Sequence, residues 1–198
     1  MARPSPVVVR ELTPDLWPAL ESLFGAKGAC GGCWCMFWRI EKGSKYEDVK
    51  GPTAKRRFKA LVAKGEAHGL LAFAGDEAVG WCAYERRTDL PRLDRSPSLK
   101  IDDAERVWSL PCFFVKAGWR GKGVARVLLR EASKALAARG AAILEGYPTK
   151  PSGAGKMPAA FAYTGVPSLF ESAGFVKADD KNKGKMRYRK HLPVVKNA

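Results

Sequence analysis

The sequence predicts a single α/β (α+β) domain over residues 1–198. Three observations support this prediction. The chain has 198 residues, 46% of them apolar, which suffices for one hydrophobic core and is short for two ordinary domains. Strand-like and helix-like stretches alternate along it, which is typical of mixed folds. The sequence contains no internal repeat and no low-complexity tract, so a repeat architecture is not expected.

The first half of the chain predicts a strand, a helix, an aperiodic segment, a second helix, a hairpin and an exposed connection. Thr13-Pro14 and Pro52 are helix starts, and Gly25 and Gly65 are helix stops. The hairpin signal is the strongest in the chain, because two apolar runs flank Gly75-Asp76. These elements are predicted over residues 7–12, 13–25, 28–51, 52–65, 69–86 and 87–105.

The second half predicts a buried central strand, an amphipathic helix, another buried strand, a short helix and a closing hairpin through Lys183-Gly184. Pro111 lies inside the central strand and cannot donate a ladder hydrogen bond. We therefore expect one edge of that strand to bulge or to part from its neighbour. These elements are predicted over residues 107–115, 124–140, 141–148, 167–175 and 175–192.

The composition indicates where in the cell the protein works and which ligands its surface attracts. The five cysteines are an odd number, and the only apolar run near the N-terminus is three valines, so we expect reduced thiols in a cytoplasmic protein without a membrane span. Lys and Arg total 35 against 20 Asp and Glu, a formal net charge of +15. Such a surface attracts anions, which include nucleic acid, phosphorylated cofactors and acidic substrates.

The stretch WRGKGVA, residues 119–125, has the composition of a phosphate-binding turn. It follows the buried strand and precedes the amphipathic helix, so backbone N–H groups and the positive end of the helix dipole would meet at Gly121 and Gly123. Arg120 and Lys122 add positive charge. Alternatively, the glycines form a simple turn with solvated cations. No G-x-G-x-x-G motif follows a strand, and SGAGKMP (152–158) lacks the residues of a nucleotide P-loop, so it is predicted to be a flexible loop.

RGKGVA also fits the acetyl-CoA signature Arg/Gln-x-x-Gly-x-Gly/Ala, with Arg120, Gly123 and Ala125 at its fixed positions. With FESAGF (170–175) and the order of elements, the chain resembles the GNAT N-acetyltransferase superfamily over nearly its whole length, although its N-terminal third matches only in outline. The resemblance implies the GNAT fold: a mixed, mostly antiparallel sheet of about seven strands, splayed at the central strands, with about four helices.

The resemblance further implies acetyl-CoA as the acyl donor, no metal, and direct attack of a primary amine on the thioester without an acyl-enzyme. Backbone groups near Val115 would pair with the pantetheine arm, amides of residues 121–125 would hold the diphosphate, and a backbone N–H of Phe113 or Phe114 would stabilise the oxyanion. The implied CoA-binding residues are Phe113, Phe114, Val115, Arg120, Gly121, Lys122, Gly123, Val124 and Ala125.

Catalytic side chains are harder to assign, because Phe170 stands where many relatives carry an acidic tyrosine. Tyr163 is our candidate acid, with Tyr147 and Ser172 as alternatives, and unassisted departure of the thiolate is also open. Glu145 is the candidate base, since a charge inside an apolar strand must be paired or functional. A structural ion pair between Glu145 and a nearby lysine is equally compatible with the sequence.

The segment CGGCWCMFWRIEKG (30–43) combines three cysteines with several aromatic residues. A zinc site is not expected, because no fourth ligand is nearby. The segment lies where the superfamily forms its acceptor pocket, so its aromatic side chains are predicted either to line that pocket or to fill the core. Arg39 would orient a carboxylate and Glu41 an ammonium group. The candidate substrate-binding residues are Trp34, Phe37, Trp38 and Arg39.

These observations predict an N-acetyltransferase acting on a primary amine of a small molecule or peptide, as a monomer or homodimer. Two alternatives remain. The acceptor could be macromolecular or bound to nucleic acid, which the charge permits but does not favour. The chain could also be a non-catalytic CoA-binding module, which Phe170 suggests.

Overall fold

The computed structural model describes residues 7–149, 162–178 and 186–193. Within them, seven strands form one sheet in the order β1-β2-β3-β4-β5-β7-β6, and five α-helices flank it. The strands are β1 (Val8–Glu11), β2 (Gly69–Ala74), β3 (Glu77–Arg86), β4 (Val107–Val115), β5 (Ile143–Gly146), β6 (Val176–Lys177) and β7 (Tyr188–His191). The helices are α1 (Trp17–Phe24), α2 (Tyr46–Val49), α3 (Pro52–Ala63), α4 (Val124–Ala138) and α5 (Pro167–Glu171).

The sheet confirms the predicted fold class. All neighbouring strands are antiparallel except β4 and β5, which are parallel because α4 carries the chain back across the sheet. The structure adds one helix to the predicted four, the single-turn α2, in a segment whose sequence has no hydrophobic period. The predicted loop 152–158 and the turn at Lys183-Gly184 lie outside the described residues. No helix of the described part of the chain is long and apolar enough to cross a membrane.

The central strand β4 contains the irregularity that Pro111 predicts. Cys112 pairs with Ala83 of β3 and Ser109 pairs with Glu85, so two residues of β4 oppose one residue of β3 in a β-bulge. Pairing between β4 and β5 ends at the next position, where Leu110 faces Gly146, although β4 continues to Val115. The two central strands therefore part beyond the bulge, and among the described residues one edge of β4 has no strand partner.

Side chains pack on both faces of the sheet. The α4 face is closed by apolar residues of that helix, and the opposite face by α1, α3 and the segment between α1 and α2. A third apolar cluster lies beneath the connection between β3 and β4. That connection was predicted to be exposed, and this was wrong in part, because its leucines turn inward on short 3-10 turns. The cluster consists of Trp38, Leu90, Leu93, Leu99 and Tyr147.

Candidate active site

A cavity of about 660 Å³ opens where β4 and β5 part. Its walls are the end of β4, the turn before α4, the start of α5 and the loop at residues 29–31. Every predicted CoA-binding residue except Lys122 lines this cavity, and the Lys122 ammonium lies over the Trp119 ring. The predicted residues in the lining are Phe113, Phe114, Val115, Arg120, Gly121, Gly123, Val124 and Ala125.

The free edge of β4 presents backbone groups to the cavity. The N–H of Lys116 donates to the Val79 carbonyl of β3 at 3.0 Å. Because successive peptide groups of a strand point to opposite edges, the N–H and C=O groups of Val115 and Phe113 face the gap. The Val115 carbonyl accepts a hydrogen bond from Arg120 Nε at 3.0 Å. An extended ligand could pair with this edge as an added strand would.

The turn before α4 leaves room for an anion. Gly121 and Gly123 have φ values of +74° and +84°, which favour glycine, and a Cβ built at either meets no heavy atom within 4 Å. In the described part of the chain, the N-cap of α4 is Gly123 and no side chain caps the first turn, so its N–H groups are available to a ligand. The helix dipole adds positive potential at the same place. These features fit a diphosphate group.

Phe170 of α5 does not line the cavity, although the sequence places it where relatives have a tyrosine. Its ring is fully buried, 5.9 Å from the Phe113 ring, and a Cβ on Gly146 would lie 2.0 Å from Phe170 Cε1. The ring thus fills the space above β5. Ser168 is the one residue in the described lining that carries a hydroxyl group.

Tyr163, the predicted acid, lies on the 3-10 turn Ala162–Thr164, beside the cavity wall. Its ring contacts Phe37 and Trp38, with centroids 6.2 and 6.5 Å away. Burial raises the pKa of the Tyr163 phenol, and the neighbouring Cys112 raises it further. The phenol is therefore protonated at neutral pH and able to donate a proton.

Glu145, the predicted base, lies outside the cavity lining. It is fully buried, and Arg189 Nε donates to its Oε2 at 2.6 Å, while Arg187 Nη1 lies 3.6 Å and Arg87 Nε 4.0 Å from its oxygens. The structural ion pair that the sequence left open is thus present, with arginines in place of a lysine. The ion pairs give this carboxylate a structural task, and the turnover of Glu145→Gln decides whether it also acts as the base. The sequence held part of this signal, since Arg187 and Arg189 are two residues apart at the start of the predicted closing strand and would lie on one face of it.

Some side chains of the segment between α1 and α2 lie in the core, and others lie near the cavity. Trp34 is buried and stacks on Trp17 with centroids 5.9 Å apart, so it packs in the core; it does not line the cavity at β4 but lies in the wall of a second pocket, with Trp17 and Lys55. Trp38 is also buried, and its Nε1 donates to the Pro111 carbonyl at 3.1 Å. Phe37 is half-buried beneath the Arg92 guanidinium. The sequence did not predict the hydrogen bond between Trp38 and the Pro111 carbonyl, because the two residues are 73 positions apart in the chain.

Arg39, predicted to orient a substrate carboxylate, is already engaged by the protein. Its guanidinium forms an ion pair with the buried Glu85 and donates to the Glu66 carbonyl. Glu85 also accepts from the backbone N–H of His68 at 2.9 Å and contacts His68 Nδ1 at 2.9 Å. This cluster joins the end of the segment to β3, and no sequence motif indicated it.

All five cysteines are free thiols, and four of them lie near the cavity. Cys30 lines it, Cys35 Sγ accepts from Trp81 Nε1 at 3.1 Å, and the Cys112 thiol hydrogen-bonds Cys35. Burial raises the pKa of Cys33 to about 12, and the Cys35 contact and burial together raise that of Cys112. The latter two are therefore poor nucleophiles at neutral pH. In the described part of the chain, no three side chains are arranged to hold a metal ion.

Comparison with known families agrees with this geometry. The model of the acetyltransferase (GNAT) family matches residues 34–150, which is more than half of the chain. The chain belongs to the GNAT acetyltransferase family. The matched region contains β2 to β5, the bulge and the turn before α4, so it covers most of the cavity wall. No curated protein sequence matches this GNAT chain.

Solved structures of acetyltransferases share the fold. A candidate acetyltransferase from Acinetobacter baylyi ADP1 has a TM-score of 0.57 at 15% identity, covering 100% of this chain and 98% of its own. The ribosomal-protein-S5-alanine acetyltransferase of Vibrio fischeri has a TM-score of 0.55 at 12% identity, covering 93% and 92%. An N-acetyltransferase of Staphylococcus aureus Mu50 has a TM-score of 0.53 at 12% identity, covering 94% and 99%. At these identities the likeness establishes the fold.

Proposed function

We propose that this GNAT acetyltransferase transfers an acetyl group from acetyl-CoA to a primary amine of a small molecule or peptide, by direct attack in a ternary complex. One observation carries the proposal. The cavity joins the free backbone edge of β4 to the uncapped N-terminus of α4. A ligand that combines an extended amide chain with a diphosphate fits these two features together, and CoA has both.

On this proposal, the donor lies along the cavity. Val115 pairs with the amides of the pantetheine arm, and the N–H groups of residues 121–125 hold the diphosphate, with Arg120 and Lys122 as nearby positive charges. The Arg120 side chain would leave the Val115 carbonyl when an amide of the donor takes its place. The cavity volume lies within the range of ligand pockets, roughly 300–1,000 Å³.

For the chemical step, Phe113 supplies the oxyanion donor. We assign this role to Phe113 and not to Phe114 because the Phe113 N–H faces the gap, whereas that of Phe114 points to β3. An N–H fixed there stabilises negative charge on the thioester oxygen. Tyr163 carries its proton at neutral pH and gives it to the departing thiolate, although its raised pKa makes it a weaker acid than a free tyrosine. The proton that the attacking amine loses passes to solvent.

The acceptor enters from the sheet face opposite α4, where Phe37 and Trp38 lie beside Tyr163. A second candidate function is transfer to a macromolecular acceptor, with which the net charge of +15 is compatible. Exposed cations on α3, with no acidic residue in that helix, are part of this charge. Binding to RNA that survives about 0.2 M salt would support the second candidate.

Alanine at Gly121 or Gly123 tests the donor site, with Gly140→Ala as the matched control. All three glycines have positive φ, and a Cβ at each meets no protein atom, so each variant carries a similar backbone strain of roughly 1 kcal/mol. Only the first two would place a methyl group against the diphosphate. We expect their acetyl-CoA affinity, measured by calorimetry, to fall about tenfold to a hundredfold. Equal affinities in all three variants would refute the placement.

Thiol release across a panel of amines tests turnover. The proposal predicts CoA production that depends on a primary amine and saturates with acetyl-CoA. Binding of acetyl-CoA without turnover of any amine or peptide would instead indicate a non-catalytic CoA-binding module.

A further inference from the structure

The indole N–H of Trp38 makes a buried hydrogen bond to the Pro111 carbonyl, at 3.1 Å and across 73 positions of sequence. Trp38 does not line the donor cavity, and the proposed function gives its N–H no task. The bond joins the segment between α1 and α2 to the bulge of β4. It therefore connects two elements at the point where the central strands part.

Pro111 occupies a critical place in that bulge. Its carbonyl belongs to the same peptide unit as the N–H of Cys112, and the next peptide unit carries the N–H of Phe113. Beyond Leu110, β3 is the one described strand that pairs with β4, so a rotation of the first peptide plane next to the bulge changes the direction of the second. The indole N–H thus constrains the backbone immediately before the proposed oxyanion donor.

The turn that carries Trp38 is itself held in place. Arg39 is ion-paired with Glu85 on β3, and the Phe37 ring packs against Tyr46 with centroids 5.4 Å apart. Trp38 also packs near Tyr147, with centroids 6.2 Å apart. These contacts hold the Trp38 side chain in one orientation, which a residue that positions the backbone must have.

We propose that Trp38 is a positioning residue for acetyl transfer. Through the Pro111 carbonyl, its indole N–H keeps the bulge in the conformation that directs the Phe113 N–H into the gap. This inference rests on the proposed function, since it assumes that Phe113 stabilises the thioester oxygen.

The test uses two variants at Trp38. In the first, benzothienylalanine keeps the shape of the ring and has sulfur in place of the indole N–H, and in the second, phenylalanine replaces the indole. Trp17→Phe is the control, since Trp17 is a buried tryptophan whose Nε1 donates to Glu21 at 2.7 Å, away from the cavity. We expect both Trp38 variants to lose about tenfold to a hundredfold in kcat, with the Kd of CoA changed less than about twofold. Trp17→Phe should keep the kcat of the natural chain.

Hydrogen exchange of the Cys112 amide, which shares a peptide unit with the Pro111 carbonyl and points to β3, where Cys112 pairs with Ala83, gives a readout that does not depend on turnover. Without the indole N–H, the amide should exchange at least about tenfold faster, because the bulge becomes mobile. If the natural chain acetylates no amine, the proposed function fails, and the exchange rate alone decides the positioning inference. Unchanged kcat and unchanged exchange in the benzothienylalanine variant would overturn the inference. An equal loss of CoA affinity and kcat would also overturn it, because it would indicate general disruption.

Discussion

Replacement of Glu145 by glutamine is expected to weaken the fold much more than the catalytic step. The carboxylate is fully buried on β5, between β4 and β7, and its oxygens face three arginine side chains. Glutamine keeps the size of the side chain and removes the negative charge. The variant therefore leaves buried positive charge without its central counterion.

The magnitude follows from what remains around the arginines. Breaking a buried ion pair by neutralising one partner costs about 3–5 kcal/mol. Arg189 keeps two hydrogen bonds to Asp103, each 2.8 Å long, and Arg87 keeps its bond to Asp94. Because Asp103 and Asp94 still neutralise part of the arginine charge, we expect the free energy of unfolding to fall by about 3 kcal/mol, the low end of that range.

Urea unfolding of Glu145→Gln measures this loss, with Glu77→Gln as the control. Glu77 also forms an ion pair on a strand, with Lys116, but both side chains are about half exposed, so its removal should cost less than about 1 kcal/mol. The kcat per folded molecule should stay within about threefold of the natural value, since a base role would cost a hundredfold or more. A variant as stable as the natural chain, but at least about a hundredfold slower, would refute the reasoning and identify Glu145 as the base.

Three further outcomes follow from the structure. Gly146→Ala should lower the free energy of unfolding by about 1–3 kcal/mol, because its Cβ would lie 2.0 Å from the Phe170 ring; thermal unfolding measures this. Burial raises the pKa of Cys30 above that of a free thiol, so its alkylation by iodoacetamide should be slow at neutral pH and should still accelerate above about pH 9, and acetyl-CoA should slow it if the donor fills the cavity; mass spectrometry measures both. Hydrogen bonds from Arg189 lower the pKa of Asp103, so its contribution is present above about pH 4 and lost as the pH falls further; urea titrations should show less acid sensitivity in Asp103→Asn.

Local patterns predicted most of the fold because the signals for its elements are local. The hairpin around Gly75-Asp76 and the strand containing Pro111 were predicted at their observed positions, since each depends on neighbouring residues alone. The connection between β3 and β4 was misjudged. Its prolines and charges suggest exposure, whereas Leu90 and Leu93 reach a cluster whose other members come from distant segments.

The two halves of the candidate site differ in the same way. The predicted donor residues fall within residues 113–125, where one strand, turn and helix start are consecutive in sequence, so a motif could indicate them. The remaining side chains come together only in the folded chain. Trp38 meets Pro111, and Glu145 meets Arg189, through strand register and loop packing that no short pattern encodes.

The segment between α1 and α2 links the two halves of the site. Cys30 lines the donor cavity, and Trp38 contacts the bulge on the acceptor side. Between them, Trp34 and Cys35 have positive φ, which is uncommon for residues with a side chain and requires tertiary contacts to maintain it. Trp34 supplies such contacts, because its ring packs against the Phe24 ring in the core, with centroids 5.5 Å apart. Trp34 thus stabilises the conformation of the segment between α1 and α2. In that conformation, Cys30 forms part of the cavity wall and Trp38 supports β4 next to the Phe113 N–H.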